Sequence, residues 1–319
     1  MKKLNLTAAL LIAVIGFTAC KKNRVEPIND VKSAKDFTQK LGSQKETFTI
    51  NSSDFPKTLN LKNGTKITIQ PNSFTINGVP ATGDITIETY EMLTRSAIML
   101  SGTNTNHISG APLISQGFIY VGAKVDGQSV DKILQRPLNI KIPAKGQDFT
   151  QIWEGVENVG DAEQMAWRAP ELANGQNPQR EVKAFEDEFV FDFGMLGWVN
   201  CDIFYNATAP KTTVTVTVLN NPGEMATFRG FTGETFVFFC ADGDNVVAQI
   251  YTADGANKVK SYDNSMPIGS EGKLIAFSIK DGKYYFAKKD ITITADMNES
   301  LTLVETTEAA VQAEITALD

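Results

Sequence analysis

The 319-residue sequence predicts a mainly β protein: two antiparallel β-sandwich-like domains with a short C-terminal helix. Three observations predict this fold class. Apolar and polar residues alternate in many short segments after residue 46, Asn-Gly or Asp-Gly pairs lie between several of them, and no long segment with a helical period interrupts them. Alternation with a period of two indicates strands with one buried face. Two such sets in succession favour sandwiches or open barrels over an α/β sheet.

Residues 1–19, MKKLNLTAALLIAVIGFTA, combine a basic start with an apolar run from Leu6 to Phe17. A helix needs about 20 apolar residues to span a bilayer, so this shorter run indicates a cleaved signal peptide. Because the run stops at Cys20, it resembles a bacterial lipoprotein signal. The resemblance implies cleavage before Cys20 and acyl chains, such as palmitate, at this lipid-attachment residue, which together would anchor the protein permanently. The alternative is an ordinary secretory signal followed by a chance cysteine.

Residues 20–45 are polar and charged, and we predict a lipidated tether there, with room for a helical turn between Val31 and Leu41. Residue 21 is lysine and not the aspartate that retains some lipoproteins in the inner membrane. The resemblance therefore implies an outer-membrane protein that faces either the periplasm or the cell surface. The basic residues Lys21, Lys22 and Arg24 would either favour an acidic lipid surface or simply be solvated.

The charge balance argues against nucleic acid as a partner. The chain has 30 basic and 37 acidic residues, a net charge of −7, and removal of the predicted signal takes away two lysines and leaves −9. A nucleic-acid-binding face would need clustered basic residues. The length suggests two domains of ordinary size.

After Cys20, the remaining cysteines are Cys201 and Cys240. Export to an oxidising compartment makes a disulfide between them possible. Cys240, however, lies in the apolar run TFVFFCAD, where a free buried cysteine behaves as a small hydrophobic residue, so both alternatives stay open. Two cysteines and a single histidine, His107, do not predict a structural zinc site, and we expect no cofactor.

Residues 46–146 form the first predicted β domain. Its strand candidates are ETFTI, TLNL, KITI, DITIETYEML, GFIYVGAKV and LNIKIPA. TLNL and KITI flank Asn63-Gly64, a favoured hairpin turn because both positions tolerate positive φ. Residues 147–193 are predicted to be a connecting segment with short strands such as QIWEGV and MAWRAPE. The acidic stretch EVKAFEDEFVFDF lacks the oxygen spacing of a calcium loop and is better explained as a solvated strand face.

Residues 194–305 form the second predicted β domain. Its strand candidates are GMLGWVNCDIF, TTVTVTVL, TFVFFCA, NVVAQIY, LIAFSI, KYYFA, DITITA and SLTLVE. Asp242-Gly243 and Asp281-Gly282 mark turns between them. Residues 306–319 are predicted to be a helix, because Val311, Ile315 and Leu318 share one helical face and Thr307 can cap it.

The segments NGTKITIQPNSF, GDITIETYEML, PLISQGFIYVGAKVDG and RPLNIKIP resemble a ZU-five-type domain. The resemblance implies a β-sandwich-like module used mainly for protein contacts, although QPNSF (residues 70–74) lacks the glycine of the family pattern. GMLGWVNCDIFYN further resembles a Gly-Trp-Ile-Asn-Cys-Asp segment of uncharacterised bacterial lipoproteins. A fold-level likeness of this kind transfers little about activity.

Candidate chemistry is sparse. Some ZU-five-type domains cut themselves at a His-x-Ser step, and this chain has His107-Ile108-Ser109; but the family places that step after the closing strand, where Ile142-Pro143-Ala144 has no histidine. The sequence supplies no G-x-S-x-G nucleophile elbow and singles out no pair of carboxylates. Trp153, Trp167 and Trp198 could stack on sugars, but indoles in β domains more often pack in cores.

We therefore expect no enzyme. The sequence favours a lipid-anchored cell-envelope protein that binds a protein or an envelope component. The alternative is a carbohydrate-binding surface lipoprotein that uses Trp153 or Trp167, which requires these indoles to be exposed. A hydrolase or a self-cleaving domain ranks below both.

Overall fold

The computed structural model describes residues 31–144, 146, 148–157, 165–171, 181–226 and 233–319. The predicted signal peptide (residues 1–19), the lipid-attachment residue Cys20 and residues 21–30 of the predicted tether lie outside the described residues. Among those that are described, no helix is long and apolar enough to cross a membrane.

The described chain up to residue 204 contains two α-helices, the twelve strands of the first sheet and two short strands, the fourth and fifth, that pair only with each other. The helices are α1 (Ala34–Leu41) and α2 (Arg95–Leu100). The strands are β1 (Glu46–Asn51), β2 (Lys57–Asn60), β3 (Lys66–Ile69), β4 (Thr75–Ile76), β5 (Val79–Pro80), β6 (Asp84–Met92), β7 (Leu113–Val125), β8 (Gln128–Ser129), β9 (Ile133–Pro143), β10 (Phe149–Glu157), β11 (Met165–Arg168), β12 (Glu181–Phe185), β13 (Glu188–Met195) and β14 (Gly197–Phe204).

The described chain beyond residue 204 contains smaller sheets and the C-terminal helix α3 (Glu308–Thr316). Its strands are β15 (Lys211–Thr212), β16 (Thr215–Leu219), β17 (Thr235–Ala241), β18 (Val247–Gln249), β19 (Thr252–Ala253), β20 (Lys258–Lys260), β21 (Met266–Pro267), β22 (Glu271–Lys280), β23 (Lys283–Thr292), β24 (Asn298–Thr302) and β25 (Val304–Thr306). The predicted mainly β fold class with a short C-terminal helix is confirmed.

The first sheet is barrel-like. Its main path runs β1-β6-β7-β14-β10-β12-β13-β9-β3-β2, and β8 and β11 pair at its side. Residues from both ends of this path, Ile50 of β1 and Leu59 of β2, share one core with Ile87, Ile119 and Ile140 from the middle strands. The sheet therefore curls around its own core, which leaves its outer face for other contacts.

The chain after residue 204, which we call the second unit, consists mainly of two sheets. One has five strands, β18-β17-β22-β23-β25, and the other has four, β19-β20-β16-β24. Strand β17 lies between two cores and is buried along its whole length. Val237 and Phe239 point into the core between these two sheets, whereas Phe236 and Phe238 point into the core on the other side. Successive side chains of β17 point to opposite faces, and both faces are covered by apolar cores. This explains why the run TFVFFCA is apolar throughout.

The core that contains Phe236 and Phe238 lies between the second unit and the outer face of the barrel-like sheet, and we call it the shared core. It contains Phe236 and Phe277 from the five-stranded sheet and Trp153 and Trp167 from the barrel-like sheet. All three helices contribute apolar residues to this shared core, among them Phe37, Ile98 and Val311.

Residues 31–45, the described part of the predicted tether, are folded. Helix α1 begins after Ser33, whose side chain accepts a hydrogen bond from Asp36 N, and Asp36 in return accepts one from Ser33 N. Phe37 is fully buried against Phe277 and Tyr284 of the second unit. The helical turn predicted near Val31–Leu41 is therefore present, but it lies in the shared core and not in a free linker.

Sheet pairing also bears on the proposed domain division at residues 147–193 and 194–305. Strands β10–β13, which lie in the predicted connecting segment, are members of the barrel-like sheet. So is β14, which hydrogen-bonds to β7 and β10 although the sequence division assigns it to the second domain. The division stays a prediction, and the pairing favours a boundary after Phe204.

Candidate functional site

A concave site lies at the start of β14, and residues from both faces of the barrel-like sheet line it. We call it the aromatic cleft and define it by Glu88, Tyr120, Lys124, Glu154, Arg168 and Trp198. Its volume is about 460 Å³, within the roughly 300–1,000 Å³ typical of small-molecule sites.

Strand alternation places four of these side chains, Glu88, Tyr120, Lys124 and Trp198, on the outer face of the sheet. In β6, Ile85 and Ile87 point into the barrel core, so Glu88 points outwards. In β7, Ile119 and Val121 point inwards, so Tyr120 and Lys124 point outwards. Trp198 pairs with Tyr120 and shares the outer face with it. Glu154 pairs with both Arg168 and the core residue Val199, so the Glu154–Arg168 pair borders the cleft from the inner face of the sheet.

Two aromatic rings are fixed next to each other in the cleft. The ring centroids of Tyr120 and Trp198 are 5.2 Å apart, and Tyr90 stacks on Trp198 with centroids 6.2 Å apart. Glycines leave room for both rings: a Cβ at Gly155 would lie 2.5 Å from Trp198 Cβ, and one at Gly122 would lie 2.9 Å from Tyr120 Oη. The two rings therefore occupy the space that side chains at residues 155 and 122 would fill if these residues were not glycine.

The polar groups of the cleft are held by ion pairs. Arg168 Nε donates to Glu154 Oε1 over 2.6 Å, and Glu154 is only 6% exposed. Glu88 accepts a hydrogen bond of 2.9 Å from Lys45 Nζ and lies 3.8 Å from Lys124 Nζ. The hydrogen bond that Lys45 donates to Glu88 raises the pKa of Lys45, although burial acts in the opposite direction. Both carboxylates are thus engaged by cations.

A buried acid lies beside the aromatic residues of the shared core. Asp202 is fully buried in β14, accepts a hydrogen bond from Asn200 Nδ2, and has one carboxyl oxygen, Oδ1, without a hydrogen-bond partner. Burial raises the pKa of Asp202 well above its usual range, although hydrogen bonds from Ser115 and Asn200 oppose this shift. The group is therefore neutral over a wide range of pH. Its backbone carbonyl accepts a hydrogen bond of 2.8 Å from Trp153 Nε1.

The two candidate disulfide cysteines are free and buried. Cys201 lies in the core of the barrel-like sheet and Cys240 in the shared core. Burial raises the pKa of Cys201 well above its usual range and that of Cys240 to about 12. In the structure these residues therefore act as small apolar side chains and not as a bridge.

The His107-Ile108-Ser109 stretch forms a local turn. His107 Nδ1 lies 2.8 Å from Ser109 Oγ and accepts a hydrogen bond of 3.1 Å from Ser109 N. The imidazole packs edge-on against Trp153 and Phe204, with ring centroids 5.2 and 5.1 Å away. The contacts with Ser109 hold the turn together, and the contacts with Trp153 and Phe204 pack the imidazole against aromatic rings.

Trp153 and Trp167 are 1% and 0% exposed. Trp167 Nε1 donates to Asn104 O, so both indoles have partners inside the shared core. The structure therefore excludes both as an exposed sugar platform, and the burial expected for indoles of β domains is confirmed. The third indole considered for sugar stacking, Trp198, is partly exposed and lines the cleft, although the carbohydrate hypothesis is built on Trp153 or Trp167.

No group of three or more histidine, cysteine, aspartate or glutamate residues in the described ranges could hold a metal ion. No protein-family model matches the chain, and no curated protein matches it either.

Proposed function

We propose that this protein is a lipid-anchored cell-envelope protein that binds an envelope component in the aromatic cleft. The observation that carries the binding role is the cleft itself: two packed aromatic rings beside ion-paired polar groups on a rigid sheet. Such a combination of apolar surface and a few fixed polar groups is typical of binding sites. The lipid anchor at Cys20 and the outer-membrane location rest on the sequence resemblance alone.

We propose binding and not catalysis because of what the carboxylates contact. Hydrolysis of glycosidic bonds by paired carboxylates needs one group to donate a proton and the other to attack or to activate water. Glu154 is instead paired with Arg168 at 2.6 Å, and Glu88 with Lys45 at 2.9 Å. Groups held in this way are suited to orienting a ligand.

A sedimentation experiment tests the binding role. The mature chain carrying Cys20→Ser, which cannot be acylated, is mixed with detergent-washed cell envelopes of the source bacterium. The bound fraction is measured with no further change, with Trp198→Ala and with Phe185→Ala. We expect Trp198→Ala to lose binding and Phe185→Ala to retain it, because Phe185 is an exposed aromatic residue outside the cleft. Equal binding of all three proteins, or none by the wild type, would contradict the proposal.

The intact mass of the protein from its native membrane tests the anchor. We expect a chain that begins at Cys20 and carries acyl chains. An unacylated chain would contradict the anchor but not the binding role of the cleft.

A further inference from the structure

We propose that the aromatic cleft binds a saccharide that is neutral or carries a single charge. Trp198 and Tyr120 contact the C–H face of a sugar ring from the outer face of the sheet. The Glu154–Arg168 pair borders the same cleft from the inner face and hydrogen-bonds to hydroxyl groups of the saccharide. This inference rests on the proposed binding function, because it names the ligand class of the same cleft.

The first argument is the shape and chemistry of the aromatic surface. A pyranose ring has faces of C–H bonds that pack on an aromatic ring and a periphery of hydroxyl groups that need hydrogen-bond partners. Trp198 and Tyr120 are partly exposed in the cleft and lie over Gly155 and Gly122, which fixes them before a ligand arrives. Rings already fixed in place lose little side-chain entropy on binding.

The second argument is the ion pair that borders the cleft from the inner face of the sheet. Arg168 uses Nε for Glu154, and a guanidinium has five N–H donors in a rigid planar fork. Glu154, which is 6% exposed, has lone pairs on a second oxygen besides the Oε1 that Arg168 engages. A donor fork next to a carboxylate matches the mixed donors and acceptors of adjacent sugar hydroxyls.

The third argument is the charge balance of the lining. Three cationic residues (Lys124, Lys132 and Arg168) face two carboxylates (Glu88 and Glu154), which leaves a net charge of about +1. A polyanionic ligand would need a strongly basic site. A quaternary ammonium ligand would need a gap between aromatic faces, but the Tyr120 and Trp198 centroids are only 5.2 Å apart. A saccharide fits both constraints.

Titration with defined saccharides tests the proposal. The probes are the trisaccharides of β-1,4-linked N-acetylglucosamine, β-1,4-linked glucose, α-1,4-linked glucose and β-1,4-linked xylose, and the readouts are tryptophan fluorescence and saturation-transfer NMR on the full mature chain. We expect saturable binding of at least one probe. Trp198→Ala should weaken it about tenfold or more, as removal of a buried aromatic anchor does.

A second variant keeps the test valid if Trp198→Ala fails to fold. Arg168→Lys keeps the charge but removes the planar fork, and at a side chain that is 36% exposed it should not disturb the core. We expect it to weaken saccharide binding about fivefold. Phe185→Ala is the matched control and should bind as the wild type does, and near-UV circular dichroism checks the fold of every variant.

The outcomes separate this inference from the proposed function. Saturable binding of a probe that weakens in both cleft variants supports the saccharide. Absence of saturable binding, or binding unchanged in both variants, overturns it. If the saccharides do not bind but the envelopes still sediment wild-type protein and not Trp198→Ala, the binding function stands and the saccharide is ruled out as its ligand; if the envelopes sediment neither protein, both proposals fail.

Discussion

Asp202 shows at the scale of a single residue how burial changes chemistry. The carboxyl group lies fully buried in β14, and its pKa is raised because burial disfavours the charged form. In the unfolded chain the same group ionises near pH 4. Between that value and the raised folded pKa, the folded state binds more protons than the unfolded state, so the contribution of Asp202 to stability is present at low pH and is lost as the pH rises.

Asp202→Asn should therefore make stability less dependent on pH. The wild-type free energy of unfolding should fall by up to about 1.4 kcal/mol per pH unit above pH 4 through this group, and the variant should lack that slope. Urea unfolding between pH 4 and pH 8 measures the difference. Asp192→Asn, at an exposed position of β13, is the control; identical slopes for wild type and Asp202→Asn would contradict the interpretation.

Cys201 and Cys240 give a second prediction at this scale. Because both thiols are buried and their pKa values are raised, native protein should react with a thiol reagent only after unfolding. We expect two reactive thiols in denaturant, almost none without it, and no mass change of two daltons on reduction. Rapid labelling of native protein, or such a mass change, would show that the thiols are exposed or paired.

Helix α1 shows how tertiary packing stabilises a secondary-structure element that is too short to be stable alone. Its eight residues are too few for a stable isolated helix, which needs about 12–15 residues in water. The Ser33–Asp36 capping box fixes its start, and Phe37 supplies burial against Phe277 and Tyr284. Lys40 also pairs with Glu308 of α3 at 2.5 Å. The segment before the barrel-like sheet is thus tied to the second unit.

Phe37→Ala should lower the free energy of unfolding by about 3–5 kcal/mol, the usual cost of removing a fully buried phenylalanine. Chemical denaturation measures the loss, and amide hydrogen exchange should show faster opening of α1. Gln39→Ala, at an exposed position of the same helix, should change stability by less than about 0.5 kcal/mol. Equal stabilities of the two variants would mean that α1 contributes little to the shared core.

At the scale of the whole molecule, hydrogen bonds across the shared core connect the barrel-like sheet to the second unit. Gln249 N donates to Asn106 Oδ1 over 2.9 Å, and Asn106 Nδ2 donates to Gln249 O over 3.3 Å. Thr105 N donates to Val247 O over 2.8 Å beside them. These bonds join the loop before β7 to strand β18, so the two units share polar as well as apolar contacts.

Asn106→Ala should destabilise the whole protein by about 2–4 kcal/mol, because it leaves the buried N–H and C=O of Gln249 without partners. We expect tryptophan fluorescence and far-UV circular dichroism to follow one shared unfolding transition in the wild type. Asn298→Ala, at an exposed position of β24, is the control. Stability equal to that of the control would show that the bonds across the core are dispensable.

The sequence alone determined the local features of this protein. Period-two alternation predicted most of the long strands, and Asp281-Gly282 forms the β22–β23 turn with positive φ at both residues. Val311 and Ile315 are fully buried on α3, and the Thr307 side chain caps it as predicted. These features depend on neighbours within a few residues, so the sequence pattern carries them.

Only the tertiary structure decided which distant segments meet. The aromatic cleft combines Glu88, Tyr120, Glu154, Arg168 and Trp198 from five strands, and no local pattern specifies that β10 and β7 flank β14. The same holds for the indoles: Trp153 is buried and Trp198 partly exposed because two units cover one part of the outer face and leave another open. Strand pairing and burial depend on contacts between residues far apart in sequence, and those contacts exist only in the folded chain.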